Sequence, residues 1–414
     1  MSKLDELIQE LCPNGVKYLT IPELFITRNG YTPSKANAEF WENGTIPWFR
    51  MEDIRENGRI LTKSTQYVSE KAIKGKLFPE DSIIIATSAT IGEHALVKVP
   101  SLANQRFTYL VLKDEFKSSV DMMFIFYYCF KLDEFCKTHL NQGNFASVDM
   151  KQFAEFKFPV PPLPVQREIV RILDNFTELT AELTAELTAR RKQYEYYRDE
   201  LLTFDSDVPK LSLEEVIVSL NTGLNPRQFF RLNTEDATNY YVTIREIVGG
   251  RIIPTNKTDR INDNALELCN NRSNLEVGDV LFSGTGTIGE TAVIMEEPYN
   301  WNIKEGVYTI KPDQRRILSK FLRYLLTTSH IKATYMKKAA GGTVKSIPMG
   351  EMRKLKIPVP PLEEQARIVS ILDRFDALCN DLTSGLPAEI EARKKQYEYY
   401  RDKLLSFKSL SRNS

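Results

Sequence analysis

Phe158–Phe176 reads FPVPPLPVQREIVRILDNF and Ile357–Phe375 reads IPVPPLEEQARIVSILDRF, with 12 of 19 positions identical. Further on, Ala189–Phe204 reads ARRKQYEYYRDELLTF and Ala392–Phe407 reads ARKKQYEYYRDKLLSF, with 13 of 16 identical. Chance does not produce such matches, so the chain is an internal duplication and its fold has to be read as two copies. The first blocks lie 199 residues apart and the second blocks 203. The second copy therefore carries four extra residues between its blocks, DALCNDLTSGLPAEIE against TELTAELTAELT.

Pro159, Pro161, Pro162 and Pro164 cannot lie inside one helix, so the chain is extended there and turns. A helix is predicted from near Val165, with apolar residues at Ile169, Ile172, Leu173, Phe176, Leu179, Leu183 and Leu187. Tyr194, Tyr197, Leu201 and Phe204 continue the stripe at spacings of three and four. One apolar stripe of that length with charged flanks predicts one partner of a coiled coil. Copy two repeats it with Ile368, Ile371, Leu372, Phe375, Leu378 and Leu382, then meets Gly385-Leu-Pro387, a stop followed by a restart. In the basic-aromatic blocks Arg190–Arg198 and Arg393–Arg401, Tyr194 and Tyr197 share the apolar face, which favours packing within the coil over nucleic-acid binding.

The stretches before these helices are related more faintly. Ser88-Ala-Thr-Ile-Gly-Glu93 matches Thr285-Gly-Thr-Ile-Gly-Glu290, Leu77–Ile85 resembles Leu275–Phe282 in pattern, and Gly143 and Ser147 match Gly342 and Ser346. The expected architecture is α+β: two globular domains joined by two long antiparallel helices, related by a pseudo-twofold internal repeat. The divisions are 1–160 for the first domain, 161–204 for the first helical spacer, 205–358 for the second domain and 359–414 for the second spacer. The helix expected over Leu4–Leu11 serves as a lead-in to domain one, as the first long helix does to domain two.

Bulk properties narrow the function. At 414 residues more than one core is expected. The opening Met-Ser-Lys-Leu-Asp-Glu is no secretory signal, and no apolar run reaches bilayer length, so a cytoplasmic protein with no membrane partner is expected. Five scattered cysteines (Cys12, Cys129, Cys136, Cys269, Cys379) and three histidines form neither a zinc spacing nor a disulfide framework. No metal site is expected, and the cysteines read as reduced, mostly buried thiols. Lys plus Arg and Asp plus Glu both total 55, so local patches rather than net charge must serve any nucleic-acid contact.

Gly284-Thr-Gly-Thr-Ile-Gly289 satisfies the GxGxxG pattern, but a dinucleotide loop must open a helix. Here a strand-like Thr291–Met295 follows, and the copy-one counterpart, Thr87–Gly92, lacks the first two glycines. A tight turn between strands is expected. The adenine-methyltransferase motif, Walker A and zinc-deaminase signatures are missing, and no histidine is spaced with a nucleophile and a carboxylate. No catalytic residue is expected.

The PxPP…Q…IV.ILD.F and RKKQYEYYRD blocks in this doubled layout resemble the specificity subunit of type I restriction–modification systems, nearest the IC group. The Thr-Ala-Glu-Leu units Thr180–Leu183 and Thr184–Leu187 are similar to that group's tetrapeptide repeat. Tyr31-Thr-Pro-Ser-Lys35 with Asn43-Gly-Thr-Ile-Pro-Trp48 is similar to its target-recognition domains. Leu224-Asn-Pro-Arg227 is the faint counterpart in domain two, with no Pro-Trp after it. The resemblance implies a non-catalytic subunit in which each variable domain reads half of a bipartite site in double-stranded DNA. It further implies that the helices set the spacer and dock two modification subunits, and that restriction subunits join. No cofactor is expected on this chain; S-adenosylmethionine and ATP belong to partner subunits. The alternatives from other classes are a methyltransferase in its own right, with Gly284–Gly289 as its cofactor loop, and a coiled-coil scaffold that does not bind DNA.

DNA contacts come from Lys and Arg to phosphates and from Arg, Asn, Gln, Ser or Thr to base edges. In domain one the candidates are Thr32, Ser34, Lys35, Arg50, Thr87, Ser88, Asn104, Gln105 and Arg106. In domain two they are Asn225, Arg227, Arg245, Ser283, Thr285, Lys304, Thr343 and Lys345.

Overall fold

The computed structural model describes residues 2–141, 146–380 and 384–410. Gly143 of the glycine match and Leu382 of the second stripe lie outside them. The chain packs as two compact units: Met1–Thr180 with Arg393–Ser414, and Ala181–Ala392. The boundary falls inside the tetrapeptide repeat, so each unit takes in part of the helical blocks together with one domain.

In the first unit the proline stretch forms the strand Lys157–Val160, which pairs antiparallel with Lys17–Thr20. A five-stranded sheet has the order Phe25–Asn29, Phe107–Leu112, Ser82–Ala86, His94–Val97, Ile60–Leu61. Beside it, Ile46–Phe49 runs between Tyr67–Val68 and, in parallel, Leu102–Ala103. The run Met122–Thr138 is a buried helix, as its apolar composition predicts. The second unit repeats the scheme: Lys210–Ser212 pairs with Lys356–Pro358, and Asn239–Val242 runs parallel to Trp301–Ile303. Its main sheet has the order Ile217–Thr222, Val307–Pro312, Val280–Ser283, Thr291–Val293. The faint sequence match between domains is therefore a close match of topology.

The helix Leu163–Leu201 is continuous over 39 residues. Pro164 is its second residue, where a missing N–H costs nothing. Copy two has the helices Leu362–Asn380 and Leu386–Leu404, with Ser384 and Gly385 outside helix and Pro387 again in the first turn. The interruption expected at Gly385-Leu-Pro387 is present.

Each core combines a first block from one copy with a second block from the other. Ile169 and Leu173 are fully buried in the first unit with Leu405. Their equivalents Ile368 and Leu372 are fully buried in the second unit with Leu202. In the second unit Tyr197 stacks on Phe375 and Arg190 and Arg191 lie near Cys379, so that helix pair is antiparallel.

This exchange corrects two expectations. The lead-in of the first unit is the C-terminal block, not the N-terminal helix alone. The Tyr18 hydroxyl donates to the Phe407 carbonyl at 3.0 Å, the Val16 amide to the Lys408 carbonyl at 2.8 Å, and Lys131 Nζ to the Leu405 carbonyl at 3.0 Å. Helix Lys3–Leu11 packs onto the same core through Leu4. Tyr197 does not share the burial of Tyr194; it is 38% exposed and only its ring face is covered, by Phe375.

All five cysteines are buried free thiols. Burial pushes Cys269 up to about 11 and Cys136 up to about 12, so neither supplies a thiolate near neutrality. Among the described residues no helix is long and apolar enough to cross a membrane, and no cluster of three His, Cys, Asp or Glu could hold a metal ion.

Candidate nucleic-acid interface

In the first unit the interface is built on one close approach. Beyond the strand Phe25–Asn29, the backbone at Gly30 passes so near Ala103 and Asn104 that a Cβ would lie 2.3 Å from the Asn104 carbonyl oxygen. Only glycine fits. The chain then carries Tyr31 against the second sheet, where its carbonyl accepts from Trp48 Nε1 at 2.9 Å. Trp41 Nε1 donates to the Ser34 carbonyl at 3.0 Å and packs edge-on to Trp48 with ring centroids 5.1 Å apart. The two tryptophans line an open cleft of about 630 Å³.

Six of the nine candidates in this unit line that cleft: Thr32, Lys35, Arg50, Asn104, Gln105 and Arg106. The Thr32 hydroxyl donates to Gln105 Oε1, and the Arg106 amide donates to Asn104 Oδ1 at 3.0 Å. Arg50 Nη2 donates to Thr65 Oγ1 at 3.2 Å, and its guanidinium lies 5.8 Å from the Trp48 ring centroid. Behind it the fully buried Asp53 accepts from the Arg50 amide at 2.7 Å, the Thr65 amide at 2.6 Å and the Thr65 hydroxyl at 2.9 Å. This network fixes Arg50 before any ligand arrives, which lowers the ordering cost of binding. Lys35, Arg50 and Arg106 outnumber Glu42 and Glu52 around the rim. Thr87 adjoins through its amide, which donates to the Arg106 carbonyl at 3.0 Å. Ser88 bridges to Ser147 next to it, and Ser34 is exposed at the Trp41 side.

The second unit repeats the frame with other side chains. Gly223 takes the place of Gly30, with a Cβ position 1.9 Å from the Ile303 carbonyl oxygen. Tyr241 stands where Trp48 stands, and its hydroxyl donates to the Leu224 carbonyl at 2.5 Å. The match of Leu224–Arg227 to the opening of domain one therefore holds in space. Asn225 caps the next turn by accepting from the Arg227 amide at 3.1 Å. Lys304, exposed, is bridged to Leu224 and occupies the place of Asn104. Thr285 bridges to Ser346, as Ser88 does to Ser147, and the Gly286 amide donates to the Lys345 carbonyl at 2.9 Å. Thr343 and Lys345 are exposed on that loop.

One candidate needs correction. Ser283 is buried; its hydroxyl donates to the Thr287 carbonyl at 2.7 Å and accepts from the Glu290 amide at 2.8 Å, so it closes the turn and faces no ligand. Thr243 holds the place of Arg50 in this unit, and Arg245, exposed two residues on, pairs with Asp259 at 3.0 Å. The glycine pattern Gly284–Gly289 joins two antiparallel strands, Val280–Ser283 and Thr291–Val293, and opens no helix. It lacks the geometry of a nucleotide loop.

Trp41, Trp48 and Gln66 also line the cleft and were not among the sequence candidates. Trp48 stands in the Pro-Trp motif, which was a usable signal. Gln66 arrives through the loop after Leu61 and left none.

Two recognition domains of one topology, each framed by duplicated helical blocks, define a DNA-specificity chain. The model of the type I restriction modification DNA specificity domain matches residues 13–190 and 206–392, and the chain belongs to that family. It is thus a recognition component and not a catalyst. It is 41% identical over 398 residues to the EcoprrI type I restriction enzyme specificity subunit of Escherichia coli, covering 92% of this chain and 93% of that one. The EcoR124I/EcoR124II specificity subunit of Escherichia coli is 34% identical over 284 residues, 64% of this chain and 68% of that one. A solved chain from work on complex assembly and conformational transition of the type I R-M system shares the fold, with a TM-score of 0.63 at 18% identity over 96% of this chain and 98% of that one.

Proposed function

We propose that each recognition domain reads one half of a bipartite duplex site, and that the helical blocks set the number of unread base pairs between the halves. The chain works in the cytoplasm with two modification subunits, which carry S-adenosylmethionine, and with restriction subunits, which use ATP.

The observation that carries this reading is the identity of exposed side chains in the duplicated blocks. Core packing accounts for Leu202 and Leu405. It does not account for Lys192 and Lys395, Glu195 and Glu398, or Tyr196 and Tyr399, all exposed and all identical between copies. The recognition domains have diverged while this surface has not, which is the pattern left by one kind of partner docking twice. Tyr196 is 65% and Tyr399 62% exposed, and large exposed aromatics of this kind anchor interfaces.

The tetrapeptide repeat supports the ruler. Four residues lengthen a helix by ~6 Å and rotate it by ~40° beyond a full turn. One base pair is worth ~3.4 Å and, at ~10–10.5 per turn, about 35°. One unit therefore shifts the reading by roughly one to two base pairs while nearly keeping the face turned to the groove. Inserting a third Thr-Ala-Glu-Leu after Leu187 and mapping methylated adenines should show a longer spacer with both half-sites intact. An altered half-site would refute the assignment.

A further inference from the structure

We propose that two ties inside each unit, a buried glutamine and a tyrosine–aspartate hydrogen bond, determine how strictly the spacer length is enforced. This rests on the bipartite reading above. Gln166 is fully buried. Its Oε1 accepts from the Asp121 amide at 2.8 Å, and its Nε2 donates to the carbonyls of Ser119 at 2.8 Å and Pro161 at 2.7 Å. Gln365 is also fully buried and does the same, with the Leu318 amide at 2.9 Å and the carbonyls of Arg316 at 2.9 Å and Pro360 at 2.8 Å. The Tyr127 hydroxyl donates to Asp174 Oδ1 at 2.6 Å, and the Tyr324 hydroxyl to Asp373 Oδ1 at 2.7 Å.

In both units the two ties join the recognition domain to the first helical block of the same copy, so this repetition calls for a shared task. Gln166 and Asp174 lie eight residues apart on the long helix, as do Gln365 and Asp373, a separation of ~12 Å along the axis. One attachment lets a domain pivot about the helix; two at that distance fix both its position and its rotation. A ruler is only as strict as the hold of each domain on it, because one base pair is only ~3.4 Å and about 35°.

The two units are not held equally. The second adds ion pairs from Lys320 to Asp373 at 2.7 Å and from Arg323 to Asp376 at 3.2 Å. At the matching positions the first unit has Met123, Phe126 and Thr177, with no such charges. Loosening the tyrosine tie should therefore matter more in the first unit.

The test uses the full chain assembled with its modification subunits. The DNA probe is a pool carrying both half-sites with spacers one base pair shorter, unchanged, and one or two longer. Methylation at non-cognate relative to cognate spacers is read for wild type, Tyr127→Phe, Tyr324→Phe, Asp174→Ala and Asp174→Asn. Tyr127→Phe and Asp174→Ala should raise that ratio about tenfold, the change expected for one lost hydrogen bond of this kind, with half-sites unchanged. Tyr324→Phe should raise it less. Asp174→Asn, which keeps an acceptor for the tyrosine, should stay near wild type. A ratio within about twofold of wild type in both Tyr127→Phe and Asp174→Ala, with or without loss of total methylation, overturns the proposal. A wild-type complex that methylates without any bipartite pattern overturns instead the reading on which it rests.

Discussion

Phe176 stacks on Tyr400 with ring centroids 5.6 Å apart in the first unit, and Phe375 stacks on Tyr197 at 5.8 Å in the second. Phe176 and Phe375 are equivalent positions of the first block; Tyr197 and Tyr400 are equivalent positions of the second. Each pair therefore joins one copy to the other. The sequence repeat runs domain, first block, second block, yet each folded unit holds a domain, its own first block and the other copy's second block.

If the buried glutamines hold each domain to its helix, Gln166→Ala leaves the Asp121 amide and the Ser119 and Pro161 carbonyls without their partner. The expected cost is about 2–4 kcal/mol, since buried polar groups left unpaired are expensive. Gln365→Ala should cost a similar amount in the second unit. Denaturant unfolding measures both, and a loss below about 0.5 kcal/mol in either would show that the amide is not a staple.

Asp279 is buried, which pushes its carboxyl up to about 6 despite hydrogen bonds from the Glu276 amide and the Thr309 hydroxyl. The folded state then holds a proton that the unfolded state, near 3.8, has released. Stability therefore falls as pH rises from about 4 to about 6 and is level above. Asp279→Asn keeps an acceptor and removes the buried charge, so it should raise stability at pH 8 by about 2–3 kcal/mol and match wild type below pH 4. Thermal melts at both pH values decide it, and a variant less stable than wild type at pH 8 would contradict the sign.

Arg50 is held over Trp48 by Thr65, whereas Thr243 holds the matching place in the second unit. Arg50→Ala should weaken binding by about 1–3 kcal/mol and relax one position of a single half-site. The other half-site should be untouched. Methylation-site sequencing reads this directly, and relaxation in both halves would argue against separate readers.

Tyr196 and Tyr399 should each anchor one partner subunit. Either alanine variant should leave one modification subunit bound and the double variant none, at about 2 kcal/mol per site. Unfolding of the isolated chain should shift by no more than about 0.5 kcal/mol, because both rings are exposed. Sedimentation of the reconstituted complexes distinguishes this from a general loss of folding.

Much of the frame was legible in the chain. The duplicated blocks, the long first helix, the break before Pro387 and the turn at Gly284–Gly289 follow from identity, period and proline or glycine placement, which are local signals. The grouping of Thr32, Lys35, Arg50 and Asn104–Arg106 was legible only as a set of polar residues near strand ends. Ser283 shows why such sets mislead. A serine beside a turn looks the same in sequence whether its hydroxyl closes that turn or faces outward.

Sequence by itself determined that the protein is double, because identity at fixed offset needs no coordinates. Only the tertiary structure decided which halves pack together. Leu202 and Leu405 occupy one position of the repeat and cannot be told apart by pattern, and each is buried in a core whose other helix comes from the opposite copy. Burial depends on contacts between residues far apart along the chain, and a repeat that fits either partner leaves that choice to the three-dimensional packing.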